Sequence, residues 1–175
     1  MIPVLTTDRL VLRPHRAEDL DAVAAMSGDA EVMRYVGGVP QPREDSWRRM
    51  LCGPAMWMLL GYGYWIVERR SDGAVIGQLG FADFKRAMEP NIEGLPELGY
   101  LFASHAHGQG YASEGVAAAL QWADATLPHD QYVAIIDPGN APSIRVIEKA
   151  GFATREPALY KDEPILLFRR ARPPQ

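Results

Sequence analysis

The sequence predicts a mixed α/β fold: a mostly antiparallel central sheet of about seven strands flanked by helices, in one domain spanning residues 1–175. Three observations support this. With 175 residues, 47% hydrophobic and 23% charged, the chain can build one substantial core and has little room for a second. Apolar residues recur at a period of two in some segments and at helical spacing in others. The order of those segments, a strand, helices, strands able to pair as hairpins, then strand–helix–strand–helix and two final strands, requires a mixed rather than a wholly parallel sheet.

Each element follows from its residues. Arg9-Leu10-Val11-Leu12-Arg13 reads as a strand that Pro14 ends, because proline offers no backbone donor. Leu20, Val23 and Ala24 fall at helical spacing within 17–26, with Gly28 as the stop, and Asp29 caps a shorter helix that Gly37-Gly38 breaks near Val36. In 43–60, Trp47, Met50, Leu51, Pro54 and Met58 lie near one helical face, and Gly53-Pro54 gives either one bent helix or two. Strands over 64–69 and 75–84 form a hairpin through Ser71-Asp72-Gly73. The stretch 85–96 reads as an irregular polar loop. A strand over 97–102, a helix over 112–126, a strand over 132–136 and a helix over 141–150 follow. Strands over 152–160 and 165–170 complete the sheet, with Lys161-Asp162-Glu163-Pro164 turning between them.

Composition narrows the function. A net charge of −4 and only short basic pairs, Arg48-Arg49, Arg69-Arg70 and Arg169-Arg170, argue against tracking nucleic-acid phosphates. No run approaches the roughly 20 apolar residues of a bilayer span, and the opening Met1-Ile2-Pro3-Val4 lacks a targeting pattern, so the expectation is a cytoplasmic protein without membrane contact. The single cysteine, Cys52, agrees with a reducing compartment. His105 and His107 have no nearby partners at ligand spacing, so no metal is expected. The oligomeric state is not written in the chain, and a homodimer is compatible with it.

The densest signal is Glu97-Leu98-Gly99-Tyr100-Leu101-Phe102, a short linker, then His107-Gly108-Gln109-Gly110-Tyr111-Ala112-Ser113-Glu114 opening a helix. Gly108, Gly110 and Ala112 carry little side chain, so their N–H groups can approach an anion while the helix adds its positive end. Phosphate suits this cradle, at about 1.5–3 kcal/mol per charge-assisted hydrogen bond, even without Lys or Arg in the loop. A plain turn ending in a helix capped by Ser113 explains the same residues. A dinucleotide fold fits less well, because Ser113 stands where the third glycine belongs and too few alternating units follow Asp137. Further on, Asn140 is a good helix cap, Pro142 fits the first turn, Ile144 and Ile147 share a face, and Gly151 ends the helix.

Taken together, Thr7-Asp8-Arg9-Leu10-Val11-Leu12-Arg13, Gly108-Gln109-Gly110-Tyr111-Ala112-Ser113-Glu114 and the block from Asn140 to Phe152 resemble the GCN5-related N-acetyltransferase (GNAT) superfamily, in its branch of ribosomal-protein N-terminal acetyltransferases. The resemblance spans nearly the whole chain. It implies transfer of the acetyl group of acetyl-CoA, a co-substrate, to a primary amine of a small molecule or a protein N-terminus. It implies a splayed strand pair, 97–102 against 132–136, with pantetheine in the slot. Leu101, Phe102 and Ala103 would supply unpaired backbone groups there, the amides of His107, Gly108, Gln109, Gly110, Tyr111, Ala112 and Ser113 would hold the pyrophosphate, and Asn140, Ser143 and Ile147 would line the arm. His107 stands where the family often has Arg or Gln, so the resemblance implies a backbone contribution from it and no side-chain role.

Direct attack on the thioester sets the catalytic needs. A lysine-like amine of pKa about 10.4 costs roughly 4–5 kcal/mol to deprotonate at pH 7, whereas a thiolate of pKa near 8.5 is only about 2 kcal/mol from neutral conditions. The base therefore matters more. In the family arrangement Glu97 lies beside the slot and is the candidate base, directly or through water; a solvated strand-end glutamate is the plainer reading. The tyrosine that many members use toward the thiolate is replaced by Ile147, which leaves Ser143 or water. That departure raises the alternative of a non-catalytic acyl-CoA-binding module. Trp47, Met50, Met56, Trp57, Met58 and Tyr62 offer either an acceptor pocket or core packing.

Overall fold

In the computed structural model, which describes residues 1–174, the chain builds one nine-stranded sheet with helices on both faces. The elements are β1 (Leu5–Thr6), β2 (Leu10–Arg13), α1 (Leu20–Ser27), α2 (Ala30–Met33), α3 (Arg43–Leu60), β3 (Tyr64–Arg69), β4 (Val75–Ala82), β5 (Met88–Glu89) and β6 (Glu97–Phe102), followed by α4 (Tyr111–Thr126), β7 (Gln131–Ile136), α5 (Ala141–Lys149), β8 (Thr154–Tyr160) and β9 (Glu163–Ala171). The sheet runs β1-β2-β3-β4-β6-β7-β9-β8-β5, and every neighbouring pair is antiparallel except β6 with β7. The seven expected strands are all present. The two additions, β1 and β5, have two residues each, too few to show any periodicity. The expected domain boundary at 175 falls on the one residue outside the described range.

Two local expectations change. The last hairpin turns on Lys161 and Asp162 alone, both with positive φ (53° and 63°), so Glu163 and Pro164 belong to β9 and face Tyr160 and Leu159. A two-residue turn with both central residues at positive φ matches the right-handed twist of the strands it joins. The segment 43–60 is a single helix with Pro54 inside it. Gly53 there lies against the His15 ring: a Cβ would stand 2.7 Å from Cε1. The α3 helix therefore packs so closely on His15 that a side chain at position 53 would have to displace the imidazole.

Alternation along the strands sorts the core into two faces. Trp65 and Val67 pack with Val116, Ala119, Leu120 and Ala123 of α4, and Ile147 of α5 joins that cluster. Ile66, between them in sequence, packs with Val23 and Met26 of α1 and Met50 of α3 on the other face. Thus α4 and α5 share one face and α1 and the middle of α3 the other, while Trp57 near the end of α3 reaches the first cluster and packs edge-on against Trp65 and Trp122. Met50, Trp57 and Tyr62 are buried core residues, while Trp47 and Met58 are exposed, so this set does not form one pocket.

Candidate active site

The strands that carry the site part company almost at once. Between β6 and β7 the register holds a single pair, Glu97 with Val133, and the Val133 N–H donates to the Pro96 carbonyl at 3.1 Å. On its other side β6 is fully paired with β4 from Glu97 to Phe102, and the Ala103 N–H continues the ladder to the Ile76 carbonyl at 2.9 Å. Because antiparallel pairing alternates, that bond places the backbone groups of Leu101 and Ala103 toward β4 and those of Tyr100 and Phe102 toward the gap. Of the three residues expected to offer free backbone groups, Phe102 faces the gap, whereas Leu101 is spent on β4 and Ala103 gives its N–H to β4 and its carbonyl to the Ala106 N–H at 2.8 Å. The Phe102 carbonyl already accepts from His107 Nε2 at 2.9 Å, leaving its N–H toward the gap. The His107 ring thus ties the strand end to the loop after it.

Below the gap lies the glycine loop. Gly108 and Gly110 adopt φ of +73° and +80°, a conformation that costs glycine nothing and turns successive N–H groups to one side. The helix α4 begins at Tyr111 with no side-chain cap, and its first bond runs from the Glu114 N–H to the Gly110 carbonyl at 3.1 Å. Ser113 therefore does not close the helix end. Among the described residues, the amides of Gly108, Gln109, Gly110, Tyr111, Ala112 and Ser113 have no acceptor outside regular helix or strand pairing. The His107 amide differs from its expected role: it donates to the Ser104 carbonyl at 3.1 Å, as the 3₁₀ turn 104–106 requires.

A cation stands beside this cradle, brought from the other end of the chain. Arg9 binds Glu114 through Nε at 2.6 Å and the Gln109 carbonyl through Nη1 at 2.9 Å, and lies over the Tyr111 ring at 4.6 Å. Its Nη2 is 3.4 Å from where a Cβ on Gly110 would stand. Glu114 also accepts from Thr7 Oγ1 at 2.6 Å and the Arg9 N–H at 2.9 Å. Burial raises the Glu114 carboxyl, but these hydrogen bonds outweigh it and hold the group below its ordinary value. Arg9 lies about a hundred residues from the loop in sequence, so the loop's own composition does not reveal this cation, and the fold alone brings it to Glu114.

At the other end of β6, Glu97 is only 5% exposed and both its oxygens are bound by Arg86, Nε at 2.7 Å and Nη2 at 2.8 Å. The Arg86 guanidinium sits 4.7 Å from the ring centres of both Phe84 and Tyr160. Burial works against its charge, and Glu97 more than compensates, keeping Arg86 above its ordinary value. Beside Glu97, the Tyr64 phenol is pushed well up by burial and then by the Glu97 charge. Glu97 is therefore a buried, oriented carboxylate, not the solvated strand-end residue of the plainer reading.

Across the gap, Asn140 caps α5 by accepting the Ser143 N–H at 3.2 Å, which leaves its amide NH₂ for other partners. The Ser143 hydroxyl lies 2.6 Å from Tyr100 Oη, so a side chain of β6 reaches over to α5. Ile147, expected to line the arm, is 0% exposed within the main core cluster and offers no surface to a ligand. Its shared helical face with Ile144 carried that information.

No group of three or more His, Cys, Asp or Glu placed to hold a metal occurs among the described residues, and none of the described helices is long and apolar enough to cross a membrane. Comparison with known proteins gives a match to the acetyltransferase (GNAT) domain over residues 9–153. The chain is 30% identical over 173 residues to the uncharacterized protein YkkB of Bacillus subtilis, covering 95% of this chain and 94% of that one. It superposes on a putative GnaT-family acetyltransferase from Bordetella pertussis with a TM-score of 0.84 at 29% identity, covering 97% and 100% of the two chains. It also shares its fold with RimL, a ribosomal L7/L12 α-N-protein acetyltransferase solved with coenzyme A, at a TM-score of 0.76 and 16% identity over 97% and 98% of the chains.

Proposed function

We propose that this chain, which belongs to the GNAT acetyltransferase family, works as a single domain over residues 1–175 that moves the acetyl group of acetyl-CoA to a primary amine. The acceptor is a small molecule or a peptide N-terminus, and attack on the thioester is direct. The observation that carries the reading is the row of open amides from Gly108 to Ser113 at the mouth of α4, next to a strand pair held by one residue pair. Backbone donors at a helix start suit a pyrophosphate, and the Arg9 guanidinium adds a positive charge beside them. The parted strands leave the N–H groups of Tyr100 and Phe102 for an extended amide-bearing arm.

The two faces of β6 divide the chemistry. Glu97 lies on the face shared with Leu101, α1 and α3; Tyr100 lies on the face shared with Leu98, Phe102, α4 and α5. An amine approaching from the first face meets Glu97, whose two oxygens use about two of four lone-pair directions on Arg86 and keep the others for a water that takes the amine proton. On the second face Ser143 supplies a hydroxyl donor to the departing sulfur, and Asn140 holds the turn that carries it. The exposed thiol of Cys52 suits the reducing cytoplasm in which we expect the protein to act.

Mass spectrometry of amines and short peptides incubated with the protein and acetyl-CoA tests this. Products heavier by one acetyl group are expected for at least one acceptor class. Binding of acetyl-CoA with no product across a broad panel would instead support a non-catalytic acyl-CoA-binding module.

A further inference from the structure

The contact between Tyr100 and Ser143 poses a question of hydrogen-bond arithmetic. Tyr100 Oη lies 2.6 Å from Ser143 Oγ and 3.2 Å from the Ser143 carbonyl oxygen, yet a phenol has one hydrogen to give. If it donates to the carbonyl, the serine hydrogen must point back at the phenol and is consumed inside the protein. If it donates to Oγ, the shorter contact, the serine hydrogen is released to point elsewhere. The Ser143 carbonyl belongs to the first turn of α5, where regular pairing supplies it with the Ile147 N–H, so it does not depend on the phenol. The second arrangement leaves every group supplied.

Resting on the acetyl-transfer reading above, we infer that Tyr100 is a positioning residue: it donates to Ser143 Oγ and thereby aims the serine hydroxyl hydrogen at the sulfur that leaves acetyl-CoA. Burial pushes the Tyr100 phenol up to about 12, against the smaller opposing effect of Ser143, so it remains a donor throughout the working range of pH. In the reaction the amine nitrogen forms its bond to the acetyl carbon, the carbon–sulfur bond breaks, and its electron pair goes to sulfur. The nitrogen loses one proton through water at Glu97, and the thiolate takes up one from solvent. Ser143 and Tyr100 keep their own protons and contribute hydrogen bonds alone.

Tyr100 also bridges β6 and α5, so the test must separate aiming from bracing. Thiol release from acetyl-CoA is measured with an amine identified by the panel, for the unaltered chain, Tyr100→Phe, Ser143→Ala and the double variant. Tyr100→Phe is expected to lower kcat about tenfold, the scale of one hydrogen bond, with KM for acetyl-CoA within about twofold. The double variant should be as slow as Ser143→Ala alone, because Tyr100 has nothing left to aim. An unchanged kcat in Tyr100→Phe, a change confined to KM, or losses that multiply in the double variant would overturn the role. Tyr100→Met, which fills similar space without a donor, replaces the phenylalanine variant if that one unfolds, with the same outcomes expected. Thiol release by the unaltered chain alongside an equally fast Tyr100 variant overturns this role alone; no release with any amine overturns the acetyl-transfer reading and this role with it.

Discussion

The two ends of β6 are built by different means. At its C-terminal end the candidate phosphate cradle is main chain: six consecutive residues, Gly108 to Ser113, turned by two glycines with positive φ and left open by the start of a helix. At its N-terminal end the site is side chain: Glu97 locked to Arg86 between Phe84 and Tyr160, which come from three separate segments. A main-chain site depends on where the backbone can go, and survives most substitutions that keep its glycines. A side-chain site depends on particular functional groups meeting, and fails when one of them changes. Substitutions at the two ends should therefore separate binding from turnover.

The largest effect is expected from Gly110→Glu. It introduces a negative side chain into the cradle at a φ of +80° and should weaken coenzyme A binding by about a hundredfold or more, the scale of losing two charge-assisted hydrogen bonds. Calorimetry, with circular dichroism to confirm the fold, reads this. Glu97→Gln should lower kcat by about 100-fold, the lower end of the scale of a general base, while leaving coenzyme A affinity within about twofold. Equal losses in affinity would erase the contrast between the two ends. Arg9→Ala should weaken coenzyme A binding by about five- to tenfold, the scale of one ordinary hydrogen bond, because the exposed guanidinium is already paired with Glu114, and the loss should be smaller at high salt.

The smallest effect concerns pH. Since the folded Glu114 carboxyl lies below its ordinary value, its contribution to stability is present above the unfolded pKa of about 4.5 and is lost as pH falls through the folded value. Melting curves between pH 6 and about pH 3 should show the unaltered chain losing a few degrees more than Glu114→Gln. Parallel curves would mean that the clamp of Thr7 and Arg9 on Glu114 does not stabilise the fold.

The contrast between main chain and side chain also explains what the sequence could tell. The cradle was legible because Gly108, Gly110 and the helix start are contiguous, and the Asn140 cap because Asn140 and Ser143 are three residues apart. The strand positions along the chain were legible from periodicity, apart from two-residue strands that have none. Arg9 with Glu114, Arg86 with Glu97 and Tyr100 with Ser143 were not legible. Each pair joins separate elements, and only the assembled sheet brings its members together. Leu101 and Ala103 were misjudged because strand pairing, which decides the side each backbone group faces, depends on the partner strand. Ile147 was misjudged differently: motif position was preferred to the helical spacing that put it in the core.

Amide hydrogen exchange with and without coenzyme A tests the central claim most directly. The account expects the amides of Gly108 to Ser113 to become protected on binding, because the phosphates become their acceptors. Saturable coenzyme A binding with unchanged exchange across those six residues would contradict it.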